Sequence, residues 1–519
     1  MKKAIYLIIA LIGLSAPSCS DSMLDFSPTD SGSGKELLKS ASTAITSVNG
    51  VYRSMWTAGW STTANTHQCF GIAAYNLALD CMADDLIMQS QGNGWFWGDH
   101  CYNVKSNYTS SAFRSYDVWY ANYKWIANVN YIIDAEPEMA GTEADVAYVA
   151  GQAYAIRALC YLNLATWFSR APYNSLTGAS RWNEPCVPVY TTGTSIDTGG
   201  QPRESLRTVY GRIDQDIDRA IELLEKARET TLAENNKSHI NLYVALGIKS
   251  RACLAEGDWD GAFKAAKRVI DEGGYAVGTK SDLTGGMNSL DKQNVMWGAG
   301  IQVADQAGGY AGFFTHMDNK EGAYAKSAPK LISKQLYNRI SATDIRRDWW
   351  DPSDKESPYV SKKFSFANVA SFLGDYIYMR VEEMYFTAAE AALRLDDLKS
   401  ARELMNTVMA ERDPGYSANN RSGTLLGATT TTWTGSFLEN IITHRRIELW
   451  GEYGRLFDVR RLGQGIDRRT DDGFSEECIS MMNRRNVNIT KADTYDWVLT
   501  IPKAELDANP NINEEDQNP

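Results

Sequence analysis

Apolar residues recur at helical spacing along most of this chain, and strand-like alternation is rare. The sharpest stripe follows Ser205, where Leu206, Val209, Ile213, Ile217, Ala220, Ile221 and Leu224 return every three to four positions. That spacing predicts a helix with Ser205 as its N-cap. Further helices are predicted over 37–55, over 111–133 with Trp119, Tyr120, Trp125 and Ile126, and over 148–168. The last keeps one surface small through Ala150, Gly151, Ala153, Ala155, Ala158 and Ala165. Two helical hairpins are clearest. In one, 241–255 leads through Glu256-Gly257-Asp258-Trp259 into a helix with Ala262, Ala265, Ala266, Val269 and Ile270, which ends at Gly273-Gly274. In the other, 384–395 and 401–412 flank Asp396-Asp397, and Leu404, Met405, Val408 and Met409 form the second stripe.

Alanines in these hairpins let two helices approach closely while larger side chains fill between neighbouring pairs. The layout is that of tetratricopeptide (TPR) units, most clearly at Gly257-Asp258-Trp259-Asp260-x-Ala262. The fold class is therefore mainly α. Long, weakly periodic insertions near 56–110, 170–203, 275–375 and 413–435 rule out a regular solenoid. Insertions of this length, rich in Gly, Thr, Asn and aromatics, are where function concentrates.

The N-terminus has a different pattern. Lys2 and Lys3 precede an apolar run over 4–14, then Ser15-Ala16-Pro17-Ser18 and Cys19. The run is too short for a permanent membrane helix and has the layout of a secretory signal. A cysteine directly after the small residues marks a lipoprotein signal, with 1–18 removed and Cys19 carrying the lipid (acyl chains such as palmitate). Ala16 stands where such signals usually carry leucine, although Leu14 is close by. Acyl chains hold through buried methylenes worth about 0.8 kcal/mol each, so two chains anchor where one is marginal. The Ser/Gly-rich stretch 19–34 reads as a flexible tether, and 35–519 as a single globular unit.

Composition narrows the function classes. A net charge of −12 argues against nucleic acid or an anionic membrane face as partner. With Cys19 lipidated, seven cysteines remain, at 69, 81, 101, 160, 186, 253 and 478. An odd count leaves at least one thiol free and is no disulfide framework. Cys160 and Cys253 lie in helical patterns as core thiols, whereas a bridge within the trio Cys69, Cys81 and Cys101 stays open. No CxxC points to metal or redox chemistry.

Catalytic patterns are missing. His67, His100, His239, His316 and His444 make no HExxH or other spaced ligand pair, so no metal site or cofactor is expected. There is no GxSxG, and Gly92-Asn93-Gly94 is not completed to GxGxxG. The adjacent carboxylates Asp84-Asp85, Glu382-Glu383 and Asp396-Asp397 are expected to be solvated. Asp344, Asp348, Asp351 and Asp354 do not fit a Ca²⁺ loop.

Aromatic clusters in the insertions are more informative. Trp95, Phe96 and Trp97 lie between glycines and are followed by Asp99 and His100. Tyr310, Phe313 and Phe314 occupy a second Gly-rich stretch, and Trp349-Trp350 precede Asp351-Pro352. An aromatic face suits the C–H face of a sugar ring or an apolar side chain, with Asn93 and His100 as polar partners. Burying roughly 50–100 Å² per stacked ring contributes about 1–2.5 kcal/mol. Two or three contacts then correspond to roughly millimolar to micromolar affinity, which suits capture and release.

Five blocks, in order, resemble the SusD/RagB family of Bacteroidetes outer-membrane lipoproteins. They are Cys19-Ser20-Asp21 with Leu24-Asp25 and Pro28; Ala153-x-x-Arg157-Ala158-x-x-Tyr161; and Arg380-x-x-Glu383-x-Tyr385-x-x-Ala388-x-Glu390-Ala391. Arg445-Arg446-x-Glu448-Leu449 through Arg460-Arg461 and Ile501-Pro502-x-x-Glu505-Leu506-x-x-Asn509-Pro510 complete the set. The resemblance implies about four TPR-like pairs as scaffold and an irregular half forming the ligand-binding side. It also implies that Arg446, Glu448, Arg455, Asp458 and Arg460 pair at a helix junction as scaffold.

The implied partner is a SusC-type TonB-dependent transporter barrel, which the lipoprotein would cap as a hinged lid at the cell surface. The implied role is non-enzymatic delivery of oligosaccharides. An oligopeptide ligand is the alternative within that role, and a surface glycoside hydrolase is the alternative of another class.

Overall fold

Capping side chains set where most of the long helices begin. In the computed structural model, which describes residues 34–57, 66–103, 113–195, 197–233, 236–302, 311–492 and 494–519, twelve helices of eight or more residues carry the architecture. They are α1 (Ala41–Ser54), α2 (Ile72–Met82), α3 (Phe113–Ala135), α4 (Glu143–Phe168), α5 (Leu206–Lys226) and α6 (Leu242–Glu256). The rest are α7 (Trp259–Glu272), α8 (Val381–Arg394), α9 (Leu398–Ala410), α10 (Phe437–Glu448), α11 (Arg455–Leu462) and α12 (Glu476–Arg484). Ser205 caps α5 as its position implies, and its side chain accepts from the Thr208 amide. Asn241, Asp258, Asp397 and Ser436 do the same for α6, α7, α9 and α10. At the hairpin turns Gly257 (φ 76°) and Asp396 (φ 62°) are left-handed, which ends one helix and aims the chain into the next.

Helices α3 to α9 each pack on the next, with α6/α7 and α8/α9 as the two expected hairpins. The small surface of α4 has a physical use at Gly151. A Cβ there would lie 2.9 Å from Leu224 of α5, so the two backbones approach as closely as packing allows.

The insertions are less loose than the sequence suggests. Within 56–110, α2 is buried at every residue but Asn76. A helix that is apolar all round has no stripe to detect. Four two-residue strands, β1 (Leu86–Ile87), β3 (Leu331–Ile332), β4 (Trp350–Asp351) and β5 (Val360–Ser361), form an antiparallel sheet in the order β1-β3-β5-β4. Its register sets Leu86 opposite Ile332, and Val360 opposite both Leu331 and Asp351. A second ribbon pairs β2 (Val295–Ala299) with β6 (Tyr376–Arg380). The described parts of segments 56–110 and 275–375 are thereby tied together.

Charged groups are buried on a scale the sequence did not suggest. Asp84 and Asp85, expected in solvent, are 4% and 2% exposed, and both face the Arg446 and Arg455 guanidiniums at 2.6–3.2 Å. Glu382 and Glu383 are buried as well. Glu382 meets Arg412 and Arg380, and Glu383 meets Arg251. Glu448 receives Arg346, Arg380 and Arg412 at 2.9–3.0 Å. Burial alone would raise its carboxyl, but those three guanidiniums hold it well below its usual value.

The Arg445–Arg461 block is buried scaffold, but the ion pairs of Arg446, Glu448, Arg455 and Asp458 go to residues other than these five named by the resemblance. Arg446 and Arg455 reach back to the residues after α2. Asp458 lies between Arg445 and Arg461 at 2.8 and 2.7 Å. Arg460 has no carboxylate partner in its own block and instead donates to the Thr166 and Ser169 carbonyls at the end of α4. Helix ends leave carbonyls unpaired, and a guanidinium fork can satisfy two at once.

Candidate functional site: an aromatic rim at Trp95

The segment after β1 is held from inside by most of the residues that the sequence offered as ligand contacts. Phe96 adopts a left-handed conformation (φ 60°), and its amide donates to the Gln68 side chain at 2.8 Å. A non-glycine residue there costs about 1–2 kcal/mol, so surrounding contacts must impose it. They do: the Phe96 ring meets Phe70 and His316 edge-on, and the Arg114 guanidinium lies 5.4 Å from its centroid. Asp99 takes a two-pronged ion pair from Arg114 at 2.8 and 3.0 Å. His100 pairs its Nδ1 with the Cys81 carbonyl oxygen at 3.0 Å and stacks on Phe474.

Burial sets three of the expected ligand contacts apart from Trp95. Phe96, Trp97 and His100 are 0%, 3% and 0% exposed, so none offers a face to a ligand. The left-handed turn at Phe96 puts Trp95 on the other side of the anchor. Its indole is half-buried and lies parallel to the His67 imidazole, with centroids 4.7 Å apart and planes 18° apart. Tyr324 approaches Trp95 edge-on at 6.0 Å, and its hydroxyl pairs with His67 Nδ1. His316, which burial pushes well below the usual imidazole range, donates Nε2–H to the His67 carbonyl oxygen. Asn93 is exposed beside this cluster.

Gly92 explains one of the flanking glycines. Its φ is +49°, and a Cβ would lie 2.5 Å from the Ser327 carbonyl oxygen. The loop therefore lies flush on the helical turn Ala323–Ser327 that carries Tyr324. That turn also leads into a polar cleft of about 750 Å³ lined by Lys326, Asp351, Asp354, Lys362, Phe366 and Val369, among others. A cleft of this size lies in the range of small-ligand sites.

The other aromatic candidates are also structural. Phe313 and Phe314 pack edge-on to each other and against Phe364 and Phe366. The Trp349 indole donates to the Leu283 carbonyl at 2.9 Å, while Trp350 packs perpendicular to Trp450. All four are buried. Tyr310 and Cys19 lie outside the described residues. Sequence reasoning did not single out His67 and Tyr324 as neighbours of Trp95. His67 entered only as a would-be metal ligand. Gly322 two positions before Tyr324 repeats, more faintly, the glycine–aromatic signal that singled out Trp95.

No described helix is long and apolar enough to cross a membrane. No curated protein matches the chain significantly. A family model described as the SusD family matches residues 326–519, and one described as starch-binding associating with outer membrane matches 43–254. Among solved structures, a SusD-like carbohydrate-binding protein from Bacteroides vulgatus is 25% identical with a TM-score of 0.72, covering 92% of this chain and 98% of its own. A SusD superfamily protein from Bacteroides thetaiotaomicron is 21% identical with a TM-score of 0.72, over 92% of this chain and all of the other. A laminarin-binding SusD-like protein shares the fold at 18% identity and a TM-score of 0.63, covering 92% and 98%. With a mainly helical body, family-model matches in both halves and this shared fold, the chain belongs to the SusD/RagB family.

Proposed function

We propose that this protein is a non-enzymatic nutrient-binding lipoprotein of the outer membrane that captures oligosaccharides at the Trp95 rim. The observation that carries the reading is the His67-backed Trp95 face, with Asn93 exposed beside it and a polar cleft one helical turn away. A flat, preformed aromatic face contributes stacking with little ordering cost, and amide and carboxylate groups can bond hydroxyls. The descriptions of related proteins, carbohydrate-binding and laminarin-binding, support a sugar as ligand.

In this reading the lipid on Cys19 holds the chain at the cell surface. The stretch 19–34 is then a leash on which the body swings as a lid over a SusC-type TonB-dependent barrel. No bond in the ligand is made or broken. The buried acids Asp84 and Asp85 support this, because both are enclosed and committed to arginines.

Calorimetric titration with starch- and laminarin-derived oligosaccharides tests the ligand class. Micromolar to millimolar binding that Trp95→Ala weakens is expected. Absence of sugar binding, together with peptide recovered by mass spectrometry from the isolated transporter complex, would replace the sugar with an oligopeptide.

A further inference from the structure

Seven cysteines lie among the described residues, and all are buried. Cys101 and Cys478 differ from the others in where they meet. Cys101 ends the short helical turn Trp97–His100, at the base of the Trp95 segment. Cys478 lies in the first turn of α12, and its amide donates to the Ser475 cap at 3.1 Å. The Cys478 sulfur is 3.6 Å from the carbonyl oxygen of His100, the residue that precedes Cys101. Cys101 follows that carbonyl directly, so the two cysteines are neighbours, and both side chains are fully buried.

The surroundings clamp these two segments together. Arg468 donates to the His100 carbonyl and comes within 3.8 Å of the Cys478 sulfur. Its other arm donates to the Cys81 and Ala83 carbonyls at 2.9 and 2.7 Å. On the far side the His100 ring stacks on Phe474, centroids 5.7 Å apart and planes within 10°. Two segments far apart in sequence are therefore held with Cys478 against the backbone next to Cys101 before any covalent bond is made.

We propose that Cys101 and Cys478 form a disulfide when the chain is exposed to an oxidising compartment, and that the bond fastens the base of the Trp95 segment to α12. The oxidant is an external disulfide, either a small molecule or a thiol–disulfide oxidoreductase. The Cys478 thiolate attacks one sulfur of that disulfide and expels a thiolate, leaving a mixed disulfide. Cys101 then loses its proton, attacks the Cys478 sulfur and expels the second thiolate. In sum, two electrons and two protons leave the cysteine pair, and the oxidant becomes two thiols. The neighbours of Cys478, Cys101 first and then His100 and Arg468, hold its thiol below the ordinary range, which favours it as the first attacker. Because both sulfurs are buried, exchange takes place as the two segments dock during folding or when they open locally. The bond is independent of any sugar at the rim.

The test is peptide mapping of the full chain, refolded with oxidised glutathione, then denatured and alkylated without reductant. The expected product is a cross-linked peptide containing Cys101 and Cys478, two hydrogens lighter than the sum of its parts and absent from Cys101→Ser. Adding reductant is expected to lower Tm in the natural chain and to leave Cys101→Ser unmoved. Recovery of both cysteines in alkylated form, or a bridge to Cys69 or Cys81 instead, would overturn the proposal. Should Cys101→Ser fail to fold, mapping of the natural chain decides the matter alone.

Discussion

The Trp95 indole lies face to face with the His67 imidazole, 4.7 Å between centroids, while Trp97, two residues on, is sealed in the core. Two tryptophans that look equivalent in sequence thus have opposite environments. Trp95→Ala is expected to weaken oligosaccharide binding by about 1–2.5 kcal/mol, roughly 5- to 70-fold in Kd, with little change in Tm. Trp97→Ala is expected to cost about 3–5 kcal/mol of stability through the cavity it leaves. Titration and urea unfolding of the two variants side by side separate these roles.

His67 supports Trp95 from behind, and Gly92 seats the loop on the turn that carries Tyr324. Gly92→Ala would drive its Cβ against the Ser327 carbonyl, so the loop must lift. A several-fold loss of affinity with a near-normal Tm is expected. Unchanged binding would show that the seat on that turn does not position the rim.

Glu448 is the hub of three guanidiniums from three different segments. Glu448→Gln removes the charge that Arg346, Arg380 and Arg412 share and leaves them only Asp344, Glu382 and Glu452, and removal of one partner from a buried ion pair costs up to about 3–5 kcal/mol. Chemical denaturation is expected to show that loss at neutral pH.

Asp80 gives a pH dependence with a defined sign. Burial raises its carboxyl to about 8, and although the Arg455 amide donates to Oδ1, Oδ2 has no partner. The folded chain keeps this proton up to about pH 8, whereas the unfolded chain releases it near the ordinary aspartate value. Its contribution to stability is therefore complete below that ordinary value and is lost as pH rises towards 8. Asp80→Asn is expected to flatten the fall in unfolding free energy between pH 5 and 8. Urea midpoints across that window, in natural and variant chains, provide the check.

Much of the scaffold was legible because helical periodicity and capping are local. Ser205 and its stripe, and the turns at Gly257 and Asp396, could be read within a dozen residues. Helix α2 was not legible, because burial on every side erases the stripe that marks a surface helix. Asp84 and Asp85 looked solvated because their partners, Arg446 and Arg455, lie hundreds of residues away.

By itself the sequence determined the helical hairpins, the caps, the family blocks and the choice of insertions as the place to look for a site. Only the tertiary structure decided which aromatics face outward. In an irregular segment the direction of a side chain depends on torsions such as the left-handed turn at Phe96. That turn is imposed by Gln68, Phe70, Arg114 and His316, contacts that exist only once distant segments have packed.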